Sequence, residues 1–352
     1  MRTELFDYSL PESSIANFPC EERDGARLCR LEQSGPVEGW VRELPELLQP
    51  EDLLVVNDTQ VRRARAYFRR PRTVAGGGGA VELLFLRPLA ENTWEALGRA
   101  GSRIKTGDHF ESAEAGLQLV VLETRQNGTL VLEANGDVER ALEAIGEMPL
   151  PPYMKRSAVE ADASRYQTVF ARHLGSAAAP TAGLHLSEGL LTRIRERGVT
   201  LGRVVLHVGL GTFRPVSAAD LDQHDMHEEW YSVDAELVEQ IAKTRARGGR
   251  VVAIGTTVVR ALESAALASK ARGGALEAGE GSTRLLIQPG YRFQLVDALW
   301  TNFHQPRSTL LALVSAFVGR DRLLSAYAWA LEHNYRFLSY GDAMWIPERL
   351  ER

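Results

Sequence analysis

The sequence predicts an α/β protein in which a mixed sheet covered by helices is interrupted by a small all-β unit. Three observations predict it. Helix-like and strand-like segments alternate beyond residue 150, period-two segments crowd together between 62 and 149, and a buried-strand run, "EDLLVVNDT", stands before them. The expected division is therefore a discontinuous α/β domain, 1–61 with 150–352, around a β unit at 62–149. A chain of 352 residues also exceeds what one hydrophobic core usually organises.

The N-terminal "MRTELFDYSLPESSI" lacks the basic-then-apolar layout of a signal peptide, and "TLLALVSAFVG" is too short to span a bilayer. A cytoplasmic protein with no membrane partner is expected. Within the β unit, "AVELLFLRP", "TWEALGRA", "LQLVVLET" and "TLVLEA" read as strands, and Asn127-Gly128 in "RQNGTLVL" predicts a hairpin with a type I′ turn. "TVAGGGGAVE" reads as a flexible hairpin tip, since no helix pattern and no Lys-Ser/Thr pair follow it. "GEMPLPPYMKR" reads as a stiff connector.

Beyond it, Ser187 is placed to cap a helix that runs to about Arg197 and stops at Gly198, and "VTLGRVVLHV" follows as a strand. "SAAD" (217–220) has a capping-box pattern. "DAELVEQIAKTRARGG" puts Leu237, Val238, Ile241 and Ala242 on one helical face, with Gly248 as a stop. "RVVAIGTTVVRALESAA" reads as strand, turn and helix, and 273–284 as a mobile surface loop.

A net charge of −5 gives no overall field for a polyanion, so a nucleic-acid partner must be met locally. The arginine-rich "VRRARAYFRRPR" offers such a patch: Arg62, Arg63, Arg65, Arg69 and Arg70, with Tyr67 and Phe68 between them. Its guanidinium groups can grip phosphate oxygens with two bonds, although a solvated strand edge reads the same way. Cys20 and Cys29 are too few for a disulfide framework and lack metal spacing, so both are expected to be reduced.

Polar groups gather at a few turns. "RVVLHVGLGTFRP" begins like a dinucleotide-binding turn, but Arg214 stands where the third glycine belongs, so a Rossmann site is disfavoured. Gly209 and Gly211 still allow a ligand near the main chain, beside His207, Thr212 and Arg214. "AIGTTVVR" opens a helix with Thr256, Thr257 and Arg260, where free N–H groups and the helix dipole suit an anion. "APTAGLHLS" brings Thr181, Gly183 and His185, "TNFHQPRSTL" brings Asn302 and His304, and "YRFLSYGDAMWI" brings Asp342. "QHDMHEEWY" pairs His224 and His227 with carboxylates, but no third ligand is fixed by spacing, and no metal is expected.

Together, "NDTQV", "EMPLPPYMKR", "RYQTVFA", "APTAGLHLS", "LHVGLGTFRPV", "MHEEWY", "AIGTTVVRALES", "TNFHQPRSTLLALVSAF" and "YRFLSYGDAMWI" resemble, in order over about 3–346, the S-adenosylmethionine:tRNA ribosyltransferase-isomerases of queuosine biosynthesis. Gln305 and Arg307 stand where relatives often carry Leu and Lys.

The resemblance implies that the β unit is a barrel. It implies transfer and isomerisation of the ribosyl part of S-adenosylmethionine onto 7-aminomethyl-7-deazaguanine at the tRNA wobble position, giving epoxyqueuosine, adenine and methionine. S-adenosylmethionine is then a consumed co-substrate, no cofactor is permanently bound, and a monomer is expected. On that reading His185, His207 and His304 converge on the sulfonium and ribose, with Asp342 as an alternative base. Thr256, Thr257 and Arg260 take the methionine carboxylate, with Thr181, Gly183, Gly209, Gly211, Thr212 and Asn302 also at the co-substrate. Arg214 holds either that carboxylate or a tRNA phosphate. An S-adenosylmethionine-dependent RNA methyltransferase and a non-catalytic RNA-binding protein are the rivals, and the latter has no use for the glycine turns and turn histidines.

Overall fold

The computed structural model describes residues 1–71, 78–209 and 215–349. Gly211, Thr212 and Arg214, like 73–77 of the glycine-rich tip, lie outside the described residues.

A nine-stranded sheet forms the larger layer. Its strands run, in spatial order, Gly279–Thr283, Glu229–Val233, Thr200–Leu206, Leu53–Asn57, Val251–Ile254, Ala298–Asn302, Ala343–Ile346, Arg27–Glu32 and Gly35–Trp40. The strands from Thr200–Leu206 to Ala298–Asn302 are mutually parallel. Antiparallel partners flank this central group on both sides. Side chains alternate across the sheet because strand residues alternate faces. Leu53, Val55, Val251, Ala253 and Leu299 face one core, closed by the helices Ala235–Ala246, Thr256–Ala271, Thr309–Val318 and Arg320–Glu332. Leu54, Val56, Val252, Ile254 and Trp300 face the other, beneath helix Glu188–Glu196.

The smaller layer is a closed six-stranded antiparallel barrel built from Arg65–Arg69, Ala80–Ala90, Thr93–Ala100, His109–Ser112, Leu117–Thr124 and Thr129–Ala134. Phe68, Phe85, Trp94, Phe110 and Leu119 fill it, and helix Val138–Ile145 packs against the same core. The barrel leaves and rejoins the chain at one place. Arg65 and Glu147 exchange backbone hydrogen bonds of 3.2 and 2.7 Å.

Several local expectations are corrected. The Asn127-Gly128 hairpin forms, but only Gly128 takes a positive φ (84°), so the turn is not type I′. Asn127 instead accepts the Thr129 N–H through Oδ1 at 3.0 Å, and Arg125 receives the Gly128 N–H in a four-residue turn. "SAAD" starts no helix; only a short 3₁₀ turn, Leu221–Gln223, follows it. Ala242 is exposed, and Thr244 takes the inward place. Within 273–284, Gly279–Thr283 is the sheet's edge strand: main-chain bonds to Glu229–Val233 fix it, and an edge strand needs few apolar side chains. The proline connector buries Met148, Leu150 and Met154 in a core of its own.

No described helix is long and apolar enough to cross a membrane.

Candidate active site

The central parallel strands all end on one side of the sheet, where open α/β folds place their ligands. A cleft lies there. Thr301 and Asn302 end one strand, Gly255 follows another, and Val208 follows a third. The walls come from Ala179–Ala182, Tyr153, Phe303–Gln305, Ser308 and the Leu338–Ser339 turn. Distant motifs therefore meet: of the expected residues, Thr181, Thr256, Thr257, Asn302 and His304 line it.

Two local features shape this cleft. Gly255 takes φ 95°, a backbone state open to glycine, as the chain turns from strand into helix Thr256–Ala271. No side chain caps that helix, so the first-turn N–H groups are left for another partner. Thr257 Oγ1 is buried there without a hydrogen-bond partner. Opposite, Leu338 holds φ 71°, which costs a branched residue about 1–2 kcal/mol. Its carbonyl accepts from Asn302 Nδ2 at 3.4 Å.

Asn302 is the hub of a short polar chain. Its Oδ1 accepts from Thr181 Oγ1 at 3.0 Å, and its Nδ2 lies 3.3 Å from His185 Nε2. His185 stands one layer behind the cleft, edge-on to Trp300. Burial, then the charges of Arg336 and Arg23, lower its pKa to about 4. His304 does line the cleft. Its Nε2 lies 2.8 Å from Thr301 Oγ1, its N–H donates to the Tyr327 hydroxyl, its carbonyl accepts from Tyr8, and burial lowers its pKa to about 3.

Other expected residues serve elsewhere. His207 bonds Thr59 Oγ1 at 2.8 Å and stacks on Trp230 with centroids 4.9 Å apart. Burial, then Arg62, lowers its pKa to about 4. It does not line the cleft with His304, so the three histidines are not gathered on one point. Arg260 does not face the cleft either. It forms a buried ion pair with Glu229, and Glu229 Oε1 accepts the Gly209 N–H at 2.9 Å. The helix thus grips the start of the glycine turn through a carboxylate. Gly183 is small for packing, since a Cβ there would come within 2.8 Å of Phe170 Cζ. Asp342 is a structural acid: its oxygens accept the N–H groups of Arg27 and Arg336 at 3.0 and 2.7 Å.

The arginine strand is also largely committed. Arg62 is buried, with a two-pronged bond to Glu139 and its guanidinium 4.9 Å from the Trp94 ring centroid. Arg65 pairs with Glu82 and Arg70 with Asp108. Arg63 and Arg69 remain exposed. Near His224 and His227, Asp225 pairs with Arg284, Glu228 with Arg87 and Glu229 with Arg260. Among the described residues no three potential metal ligands gather. Both cysteines are free thiols.

Tyr153, Thr301 and Ser308 are not marked as site residues by the sequence. Tyr153 and Ser339 hydrogen-bond across the cleft wall, and Tyr153 lies in the segment read as a connector. An aromatic hydroxyl within a proline run was the available signal.

The family model described as "Queuosine biosynthesis protein" matches residues 3–346. A Sorangium cellulosum protein named S-adenosylmethionine:tRNA ribosyltransferase-isomerase is 50% identical, covering 98% of each chain. Its namesake from Moorella thermoacetica is 48% identical over 98% of this chain and all of its own. A crystal structure titled S-adenosylmethionine tRNA ribosyltransferase, from Thermotoga maritima, is 36% identical with a TM-score of 0.53, covering 97% of this chain and 99% of that one. The chain belongs to the queuosine biosynthesis protein family of S-adenosylmethionine:tRNA ribosyltransferase-isomerases and is a transferase.

Proposed function

We propose that the cleft binds S-adenosylmethionine and that its ribosyl part passes to the aminomethyl group of 7-aminomethyl-7-deazaguanine at the tRNA wobble position. Adenine and methionine leave, and epoxyqueuosine remains in the tRNA. The observation that carries this reading is the uncapped helix start at Thr256, with the buried, unpartnered Thr257 hydroxyl, facing Asn302 and His304 across one cleft. The methionine carboxylate fits the helix start, because oriented N–H groups and a hydroxyl donor replace its hydration.

The chemistry requires a base for the ribose 5′ proton, which the sulfonium acidifies. His304 is the cleft-lining group for that role. Its low pKa keeps the ring unprotonated across the physiological range but makes it a weak base. A carboxylate bound nearby counteracts this by favouring the imidazolium. His185 acts through Asn302, fixing the amide so that it meets Thr181 and the Leu338 carbonyl. The attacking amine resembles lysine, with an ordinary pKa of about 10.4, and must lose a proton before it is nucleophilic.

The test follows isotopic label from the ribose and from the methyl group of S-adenosylmethionine into tRNA carrying the aminomethyl base. Ribose label in tRNA with free adenine is the expected result. Methyl label in tRNA would replace this reading with an RNA methyltransferase.

A further inference from the structure

A second cleft lies behind the His185–Asn302 pair and shares Ser339 with the first. Pro19, Cys20, Arg23, Arg165, Tyr340 and Gly341 line it. Arg23 donates to the carbonyls of Leu184 and Ser164 at 3.2 and 2.7 Å, and Arg165 to those of Glu21 and Cys20. These bonds aim the guanidinium groups without neutralising them. Among the described residues neither has a carboxylate at ion-pair distance, and Arg165 Nε is buried without a partner.

Apart from the solvent-exposed Glu21, the nearby acids are already engaged. Asp342 accepts two backbone N–H groups and lies 3.7 Å from Arg336, which itself reaches Cys20 Sγ. Asp162 is held by Arg156 and Tyr340, and Glu22 by Arg42. Positive charge is therefore left over in a half-buried place. Burial and then Arg165 both lower the Arg23 pKa, and Arg23 and Arg336 add to burial in lowering that of His185.

An aromatic residue directly precedes the cleft-lining Pro19 in the chain. Phe18 is 57% exposed, and the Arg156 guanidinium lies 4.2 Å from its ring centroid. Preoriented guanidinium groups beside an exposed ring suit a nucleic-acid strand better than a free anion, because phosphates take the forks and a base takes the ring.

We infer that this cleft holds the RNA backbone next to the reacting nucleotide, with Arg23 and Arg165 on phosphate oxygens and Phe18 against a neighbouring base. The inference rests on the RNA-substrate reading above. It places docking on the α/β domain instead of the barrel's arginine strand, most of whose guanidinium groups are paired with acids.

The test is tRNA binding by the full chain as a function of salt, beside S-adenosylmethionine binding measured separately. Arg23→Gln with Arg165→Gln should lower the slope of log affinity against log salt by about 1–2. Phe18→Ala should weaken binding roughly tenfold with the slope unchanged. Arg23→Lys with Arg165→Lys should retain the slope; if the glutamine pair does not fold, Arg23→Gln alone replaces it and should lower the slope by about 1, an unaltered slope again overturning the inference. S-adenosylmethionine affinity should stay as in wild type throughout. An unaltered tRNA slope in the glutamine pair overturns the inference, as does loss of S-adenosylmethionine affinity with tRNA binding intact, which would assign the arginines to the co-substrate. Failure of the function itself shows separately, as absent ribose transfer by the wild-type protein.

Discussion

Arg260 and Glu229 form a buried ion pair, with side chains 5% and 2% exposed, and the same carboxylate holds the Gly209 N–H. One interaction therefore couples the helix that opens at the cleft to the turn after the Thr200–Leu206 strand. Arg260→Leu leaves Glu229 charged and uncompensated, so it should destabilise the protein by about 3–5 kcal/mol in denaturant unfolding. Pairing it with Glu229→Leu should recover most of that stability but lower turnover, because only then does the Gly209 N–H lose its acceptor. Recovery of both would reduce the pair to packing.

Thr257→Val keeps the shape of the side chain and removes a hydroxyl that has no partner in the protein. Stability should hold or rise by about 1 kcal/mol. If the hydroxyl binds the co-substrate carboxylate, KM for S-adenosylmethionine should rise roughly 10- to 100-fold, the worth of a hydrogen bond to a charged group. Unchanged KM would detach Thr257 from that carboxylate.

The histidines set a pH dependence. His304 and His185 fold with pKa values lowered by burial to about 3 and about 4, against a reference of 6.5. Below pH 6.5 the unfolded chain takes up protons that the folded chain does not. Stability is therefore flat on this account above that pH and falls as pH drops toward the folded values. Each histidine contributes a slope approaching about 1.4 kcal/mol per pH unit within the window. Chemical denaturation of His304→Gln at pH 7, 6 and 5 should show one such slope missing relative to wild type. Parallel curves would mean that His304 is protonated in the fold.

Arg62→Met should loosen the barrel against the sheet domain and leave RNA recognition alone. Its partner Glu139 is 37% exposed on its side chain, which tempers the loss to about 1–3 kcal/mol. Thermal unfolding should register that loss, while the salt slope of tRNA binding stays as in wild type. A reduced slope would put Arg62 back on the docking face.

Sequence periodicity located the structure where one physical requirement dominates. "TWEALGRA", "LQLVVLET" and "TLVLEA" are strands over the residues expected, because alternate residues such as Trp94 and Ala96, Leu117, Leu119 and Val121, or Leu130 and Leu132 face the barrel core. Ser187 caps its helix at the predicted place, since an unpaired N–H selects its own acceptor. The edge strand Gly279–Thr283 was not legible, because backbone pairing left no apolar trace. In the site, Thr181, Thr256, Thr257, Asn302 and His304 could be found at turns after strands. What Arg260, Asp342 and Arg62 do could not, since a charged side chain reads the same whether its partner is a ligand or a distant acid such as Glu229 or Glu139.

The paired backbone bonds between Arg65 and Glu147 have an evolutionary consequence. They bring the two ends of the inserted segment side by side, so the sheet domain has only a narrow opening to bridge, whatever the length between. Such a segment behaves as a cassette. Hairpins within it can lengthen, shorten or drift in sequence from lineage to lineage while strand order in the larger domain, and with it the spacing of Asn302, His304 and Thr257, remains as it was.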